Sequence, residues 1–168
     1  MSFEDRFSLA DDYLEHTDQV MDGVHDDFIK TRYLGFIAIS AVTAYELAIK
    51  DIIFCFCDHK HRALGELARS RFDRLNGQIK LKDLRSNCVK CFGEKYLKRF
   101  DKQLELVESD ALKKRRGSAK SSYGNLITWR HNFVHKGEWP ATATYRDLRG
   151  AYSHGKEVIR CLDKSLVR

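Results

Sequence analysis

Along most of this chain apolar residues recur at intervals of three and four, the repeat that lays a continuous stripe down an α-helix. The strongest stretch runs from about 32 to 57, where Leu34, Ile37, Ala38, Ala41, Tyr45, Ala48, Ile49, Ile52 and Phe56 form an unbroken face. Such a face predicts the central core helix. Ahead of it, Phe7, Leu14 and Met21 stand at heptad spacing with Ala10, Tyr13, Thr17, Val20 and Val24 filling in. A first helix is therefore expected over about 4 to 28, weakened at its end by Gly23. A shorter segment is expected at about 61 to 74, followed by a Leu75-Asn76-Gly77 turn and by Leu81 to Phe92 and Glu94 to Ser109, which Gly93 separates. The next helix runs from about Ala119 to Val134, its end signalled by Lys136, Gly137 and Pro140. At Thr144 a last helix begins, with Asp147 making a capping box-like start and Leu148, Ala151, Tyr152, Val158, Ile159, Leu162 and Leu166 as its buried stripe. The pattern predicts an all-α bundle of five to six helices. No linker or repeat interrupts it, so residues 1–168 read as one domain whose residues 1–30 form an acidic N-terminal helix.

Composition agrees with this and narrows the setting. The 168 residues can bury a core without metal or disulfide support, and one Pro with 10 Gly supplies too little turn punctuation for an all-β fold. No apolar run approaches the ~18 residues that span a bilayer, and Met1 to Asp12 lack the basic and apolar regions of a signal peptide. A cytoplasmic protein with no membrane association is expected, and its five Cys, an odd number, read as reduced thiols. Charge is unevenly placed. Residues 1–30 carry nine acids against two bases, net −7, whereas residues 80–120 carry thirteen bases against six acids, net +7. A regional basic excess raises the local concentration of polyanions, as RNA binding requires, although a solvated lysine-rich helix surface has the same composition. The run Lys113-Lys114-Arg115-Arg116 reads as an exposed basic loop suited to RNA phosphates, with Lys136 as a further contact.

One stretch breaks the apolar pattern at its centre: Trp129-Arg130-His131-Asn132-Phe133-Val134-His135-Lys136-Gly137. Arg130 falls in the middle of a stripe made by Tyr123, Leu126, Ile127, Phe133 and Val134, where a guanidinium needs a pocket, a partner subunit or a carboxylate. His135 titrates near neutrality when unperturbed, which suits it to moving protons. Arg130, four intervening residues, then His135, Lys136 and Gly137 resemble the Rx4-6H motif of HEPN domains, the higher eukaryote and prokaryote nucleotide-binding superfamily. The aromatic and apolar lead-in, the Gly after it, the final amphipathic helix and the carboxylate-bearing apolar helix early in the chain extend the resemblance over most of residues 30–168. The position after the arginine is commonly Asn in that family, and here it is His131 with Asn132 following.

The resemblance implies a HEPN-like bundle acting as a metal-independent endoribonuclease, without cofactor or metal, in the manner of stand-alone bacterial HEPN toxins and phage-defence proteins. It also implies a homodimer, with an antitoxin or regulatory protein as a further partner. The alternative is a non-catalytic HEPN-like module that binds a nucleotide or partner. For cleavage, His135 acts as general base or acid, Arg130 clamps the phosphate, and His131, Asn132 and Glu46 are candidate supports. The products expected are a 2′,3′-cyclic phosphate and a 5′-hydroxyl. At 3.6 residues per turn, five residues turn the two side chains roughly 140° apart, so either the helix ends before His135 or two protomers contribute; HEPN resemblance favours the second. Plainer readings stand beside these. Glu46 is the obvious partner for a structural ion pair with Arg130, or pairs with Lys50 on its own helix; His135 serves as a helix-end residue. Cys55, Cys57, His59, His61, Cys88 and Cys91 contain enough ligands for zinc but read more readily as core thiols.

Overall fold

The computed structural model describes residues 2–75 and 77–167, and every regular element among them is helical. A 3-10 turn, Phe3–Phe7, leads into α1, Ser8–Val20; then come α2, Asp27–Lys60, and α3, Arg62–Phe72. The short α4, Leu81–Asp83, continues as a wide π-helical turn, Leu84–Val89, and a 3-10 turn, Lys90–Phe92. Three long helices follow: α5 Glu94–Lys113, α6 Ala119–Lys136 and α7 Tyr145–Leu166. The all-α bundle is as the periodicity predicts, with α2 at its centre packed by α1, α3, α6 and α7. No helix among the described residues is long and apolar enough to cross a membrane.

Several boundaries differ from the expected ones for local reasons. The first helix stops at Val20 and a 3-10 turn, Met21–Gly23, because Gly23 weakens the helix and the Asp26 carboxylate accepts the Ile29 N–H at 2.9 Å, starting α2 anew. The segment from Leu81 to Phe92 is not uniformly α-helical; Ser86 Oγ there donates to the Lys82 carbonyl at 2.9 Å and widens the local bonding. The expected turn at Leu75-Asn76-Gly77 falls partly outside the described residues, at Asn76. The Thr144 and Asp147 capping box is present with both reciprocal bonds.

Three buried tyrosines tie the long helices together. Tyr45 of α2 stacks on Tyr123 of α6 at 5.5 Å and on Tyr152 of α7 at 5.7 Å. Each hydroxyl donates to a backbone carbonyl elsewhere: Tyr45 to Tyr152 at 2.5 Å, Tyr123 to Ile79 at 2.6 Å, Tyr152 to Phe7 at 3.2 Å. Outside this core the acidic N-terminus lies along α7, through Asp11 to Lys156 at 2.6 Å, Asp18 to Arg149 at 2.7 Å and Glu4 to Arg160 at 2.8 Å. Its charge therefore meets the last helix.

The end of α6 that carries the motif is held against α2 by a close approach, with the ring of Phe133 filling the space a Cβ on Gly35 would need. Gly35→Ala is expected to push Phe133 out of place and to lower stability by about 1–3 kcal/mol, the usual range for overpacking a core. Thermal unfolding checks this, and an unchanged melting temperature would show that the ring gives way freely.

Candidate active site

Helix α6 begins at Ser118, whose hydroxyl accepts the Ser121 N–H at 3.1 Å, and ends at Gly137, whose N–H reaches the Phe133 carbonyl at 2.9 Å. Gly137 holds a φ of 69°, the left-handed conformation that closes a helix and that glycine adopts without a Cβ penalty. Thus the motif stays helical through His135, and termination before the histidine is ruled out as the way the two groups meet. Within one chain Arg130 and His135 diverge by roughly 140° at 3.6 residues per turn.

Arg130 sits on the inward face beside buried Leu126 and Ile127. Its Nε is shielded from solvent with no hydrogen-bond partner, the one buried side-chain nitrogen or oxygen so placed among the described residues. An orphaned donor on a cationic side chain is costly, and it is the kind of group an incoming anion satisfies. His131 and His135 stand one turn apart on an exposed face, their rings 4.4 Å apart at 49°. Asn132 is half-buried and Lys136 exposed. His131 is held below the ordinary 6.5 by partial desolvation of its ring, then by the positive charge of His135, Lys80, Arg130 and Lys136.

Two basic neighbours were not legible in the motif. Lys80 follows Ile79, whose carbonyl Tyr123 anchors, and is thereby brought into the field of His131. Arg32 of α2 lies over Phe28 at 4.7 Å and over Phe133 at 5.7 Å, flanking the end of α6. Neither has a local sequence signal linking it to residues 130–136. Exposed apolar side chains surround this end of the molecule, including Phe28 at 66% and Val134 at 47% exposure.

Other candidates lie apart from the motif. Buried Glu46 accepts the Gly77 N–H through Oε1 at 2.7 Å, and no ion pair joins it to Arg130 among the described residues. The reason is positional: the segment ahead of α4 offers an unpaired backbone donor to that carboxylate. Lys50 donates to the Asp73 carbonyl at 2.6 Å. The basic cluster is at the opposite end of α6, since sixteen residues from Ala119 to His135 rise about 24 Å at 1.5 Å each. There Lys114 and Arg116 both pair with Asp110 at 2.8 Å, while Lys113 and Arg115 are exposed. Trp129 packs on Trp139 at 5.6 Å against the core. Cys57 and Cys88 are buried, which pushes their thiols up to about 11 and about 12, so neither supplies a thiolate at neutral pH. No group of three or more His, Cys, Asp or Glu that could hold a metal ion is gathered among the described residues.

The all-helical bundle and the arginine and histidine of its penultimate helix define a class, and the whole-chain comparison gives the same one. A family model described as RiboL-PSP-HEPN matches residues 4–168, and the chain belongs to this HEPN family. Membership points to an RNA-related or nucleotide-binding module. No match was found among the curated proteins or the solved structures.

The cationic surround of His131 has a measurable consequence. Followed by NMR, its ring is expected to titrate below 6.5, and His135→Ala should move the midpoint up. Because the folded state binds this proton less readily than the unfolded chain, the contribution to stability falls as pH drops through the range just under 6.5. A midpoint at or above the free value would contradict the assigned surroundings.

Proposed function

We propose that the chain is a single HEPN domain acting as a metal-independent endoribonuclease, with its active site assembled from two copies. The observation that carries this reading is the unmet Nε of Arg130 beside an exposed histidine pair: an anion-binding donor and proton-transfer groups on one helix end. Arg130 holds the scissile phosphate and stabilises its developing charge, and His135 moves a proton during attack by the 2′-hydroxyl. Helical geometry through His135 supports a homodimer, because one chain directs the two side chains apart while a two-fold partner can supply the missing one. Exposed Phe28 and Val134 beside the motif give such a partner apolar surface. The products are a 2′,3′-cyclic phosphate and a 5′-hydroxyl, and DNA is not cut. The setting we infer from HEPN kinship is a cytoplasmic toxin or phage-defence effector held in check by an antitoxin or regulatory protein.

Arg130→Ala and His135→Ala are each expected to abolish cleavage of single-stranded RNA in EDTA while keeping a folded helical protein. Arg130→Ala should melt no lower than the parent, since it removes an unsatisfied buried donor. A co-expressed heterodimer of the two dead variants, isolated by different tags, should regain activity through its one intact composite site. Full activity in either single variant would remove the ribonuclease assignment; an inactive verified heterodimer would remove the two-chain site.

The distal basic cluster is assigned to RNA outside the point of scission. Changing Lys113, Lys114, Arg115 and Arg116 to Ser is expected to weaken RNA affinity and flatten its salt dependence without altering which bond is cut. Because Lys114 and Arg116 are already paired with Asp110, most of the effect should come from Lys113 and Arg115. Unchanged affinity and salt slope would leave the cluster as a solvated loop.

A further inference from the structure

Between α6 and α7 runs an open groove that no step of the cleavage chemistry uses. We propose that it is the track on which single-stranded RNA lies between the basic loop at 113–116 and the motif, an inference that rests on the RNA reading above.

Ser122, Asn125 and Trp129 line the groove from α6, and the same spacing continues through Asn132 and Lys136 into the motif. Alternating steps of three and four keep these five side chains on one flank of the helix, all of them polar but for the indole. On α7, Arg146, Gly150 and His154 follow at steps of four and face them. The groove holds about 910 Å³, a size usual for ligand sites. At His154 it meets a second groove, of about 880 Å³, which Arg116, Gly117 and Lys164 line. The two join end to end along the side of α6, from the basic loop to the turn that carries Arg130. From Ala119 to Trp129 the helix rises about 15 Å, room for about four nucleotides at ~3.4 Å each. The wall at the motif end is fixed without a ligand, because Trp139 Nε1 donates to the Ala143 carbonyl at 2.7 Å and its ring packs on Trp129.

Charge and hydrogen-bonding groups give the class of ligand. The carboxylates lining the two grooves are already engaged: Asp147 accepts the Thr144 N–H at 2.9 Å in the cap of α7, Glu157 holds Arg160 at 2.6 Å and Asp110 holds Lys114 at 2.8 Å. Arg146, His154 and Lys164 make no hydrogen bond or ion pair among the described residues. Unpartnered donors spread along a trough favour a chain of anions over a single ion. Between them Ser122 and Asn125 offer neutral donors and acceptors to base edges, and Trp129 offers an aromatic surface. An unpaired strand has bases free for such contacts, whereas those of a duplex are turned inward.

Binding is measured apart from cleavage. A fluorescein-labelled single-stranded RNA of about twelve nucleotides, long enough to run past the groove and 2′-O-methylated throughout so that it cannot be cut, is titrated by anisotropy against the full chain and its variants, with thermal melting to confirm folding. Gly150→Leu decides most. A Cβ at this position meets no atom within 4 Å, leucine favours a helix more than glycine does, and the added side chain enters the groove without removing charge. It is expected to weaken binding at least tenfold while leaving the salt slope unchanged. Arg146→Ala should weaken binding and also lower the slope by about 0.7, the share of one single-strand phosphate contact. Lys95→Ala, an exposed cation of α5 outside both grooves, should do neither. Full affinity in Gly150→Leu, an equal loss in Lys95→Ala, or equally tight binding of a duplex or of a polyglutamate peptide would each overturn the assignment. Cleavage of unmodified RNA, assayed alongside, separates the two readings. An inactive wild type with the expected binding pattern upholds the groove and removes the ribonuclease reading, whereas an active wild type whose binding ignores Gly150→Leu removes the groove alone.

Discussion

Three stacked tyrosines set the geometry on which everything else depends. A phenol buried in a helical core must place its hydroxyl against an acceptor, and helix carbonyls are mostly committed to their own helix. In this chain the acceptors are Tyr152, Ile79 and Phe7, one in α7, one ahead of α4 and one in the N-terminal turn. The stack therefore acts as a set of directional bonds among segments that hydrophobic burial alone would leave free to slide. Losing one hydroxyl would remove a buried hydrogen bond, at about 0.5–1.5 kcal/mol.

The site inherits its precision from that arrangement. Tyr123 lies two helical turns before Arg130 on α6, and its bond to Ile79 fixes the strand of backbone from which Lys80 projects. Glu46 secures the same segment from the other side through Gly77. A cationic environment for His131 is thus produced by two polar anchors, neither of which touches the histidines. Meanwhile the rigidity of α6, capped at Ser118 and Gly137, denies its own arginine and histidine a common target. A flexible end would have let one chain close the pair; a well-made helix does not.

Much of this was legible in the sequence, and the part that was not has a common cause. The face from Leu34 to Ile52, the capping box at Thr144, the glycine stop at 137 and the intruding Arg130 are local patterns, and each appears as read. What failed was inference across the chain. Glu46 and Arg130 seemed a natural pair because both interrupt apolar stripes, yet a nearer backbone N–H took the carboxylate. The basic run at 113–116 is exposed as read, and what spacing alone did not give is that Asp110 pairs two of its members and that the length of α6 sets it far from the motif. Lys80 and Arg32 had no periodic or motif signal, since only the packing of α4 and α2 on α6 brings them near. The break after Val20 was hidden by apolar spacing that continues through residues which do not continue the helix.

The pairing of α1 with α7 also bears on how the chain reaches this state. Lys156 bonds Asp11 across 145 positions, Arg149 bonds Asp18 across 131 and Arg160 bonds Glu4 across 156. On a ribosome these N-terminal residues emerge well before their charge partners in α7, so they wait for at least 131 further positions to be made before the contacts can form. Closing so long a loop costs entropy that grows only logarithmically with length, but the search is slow compared with zipping up neighbouring helices. Until it is complete, the inner faces of α2 and α7 lack their N-terminal cover, and the nascent protein exposes core surface to other chains.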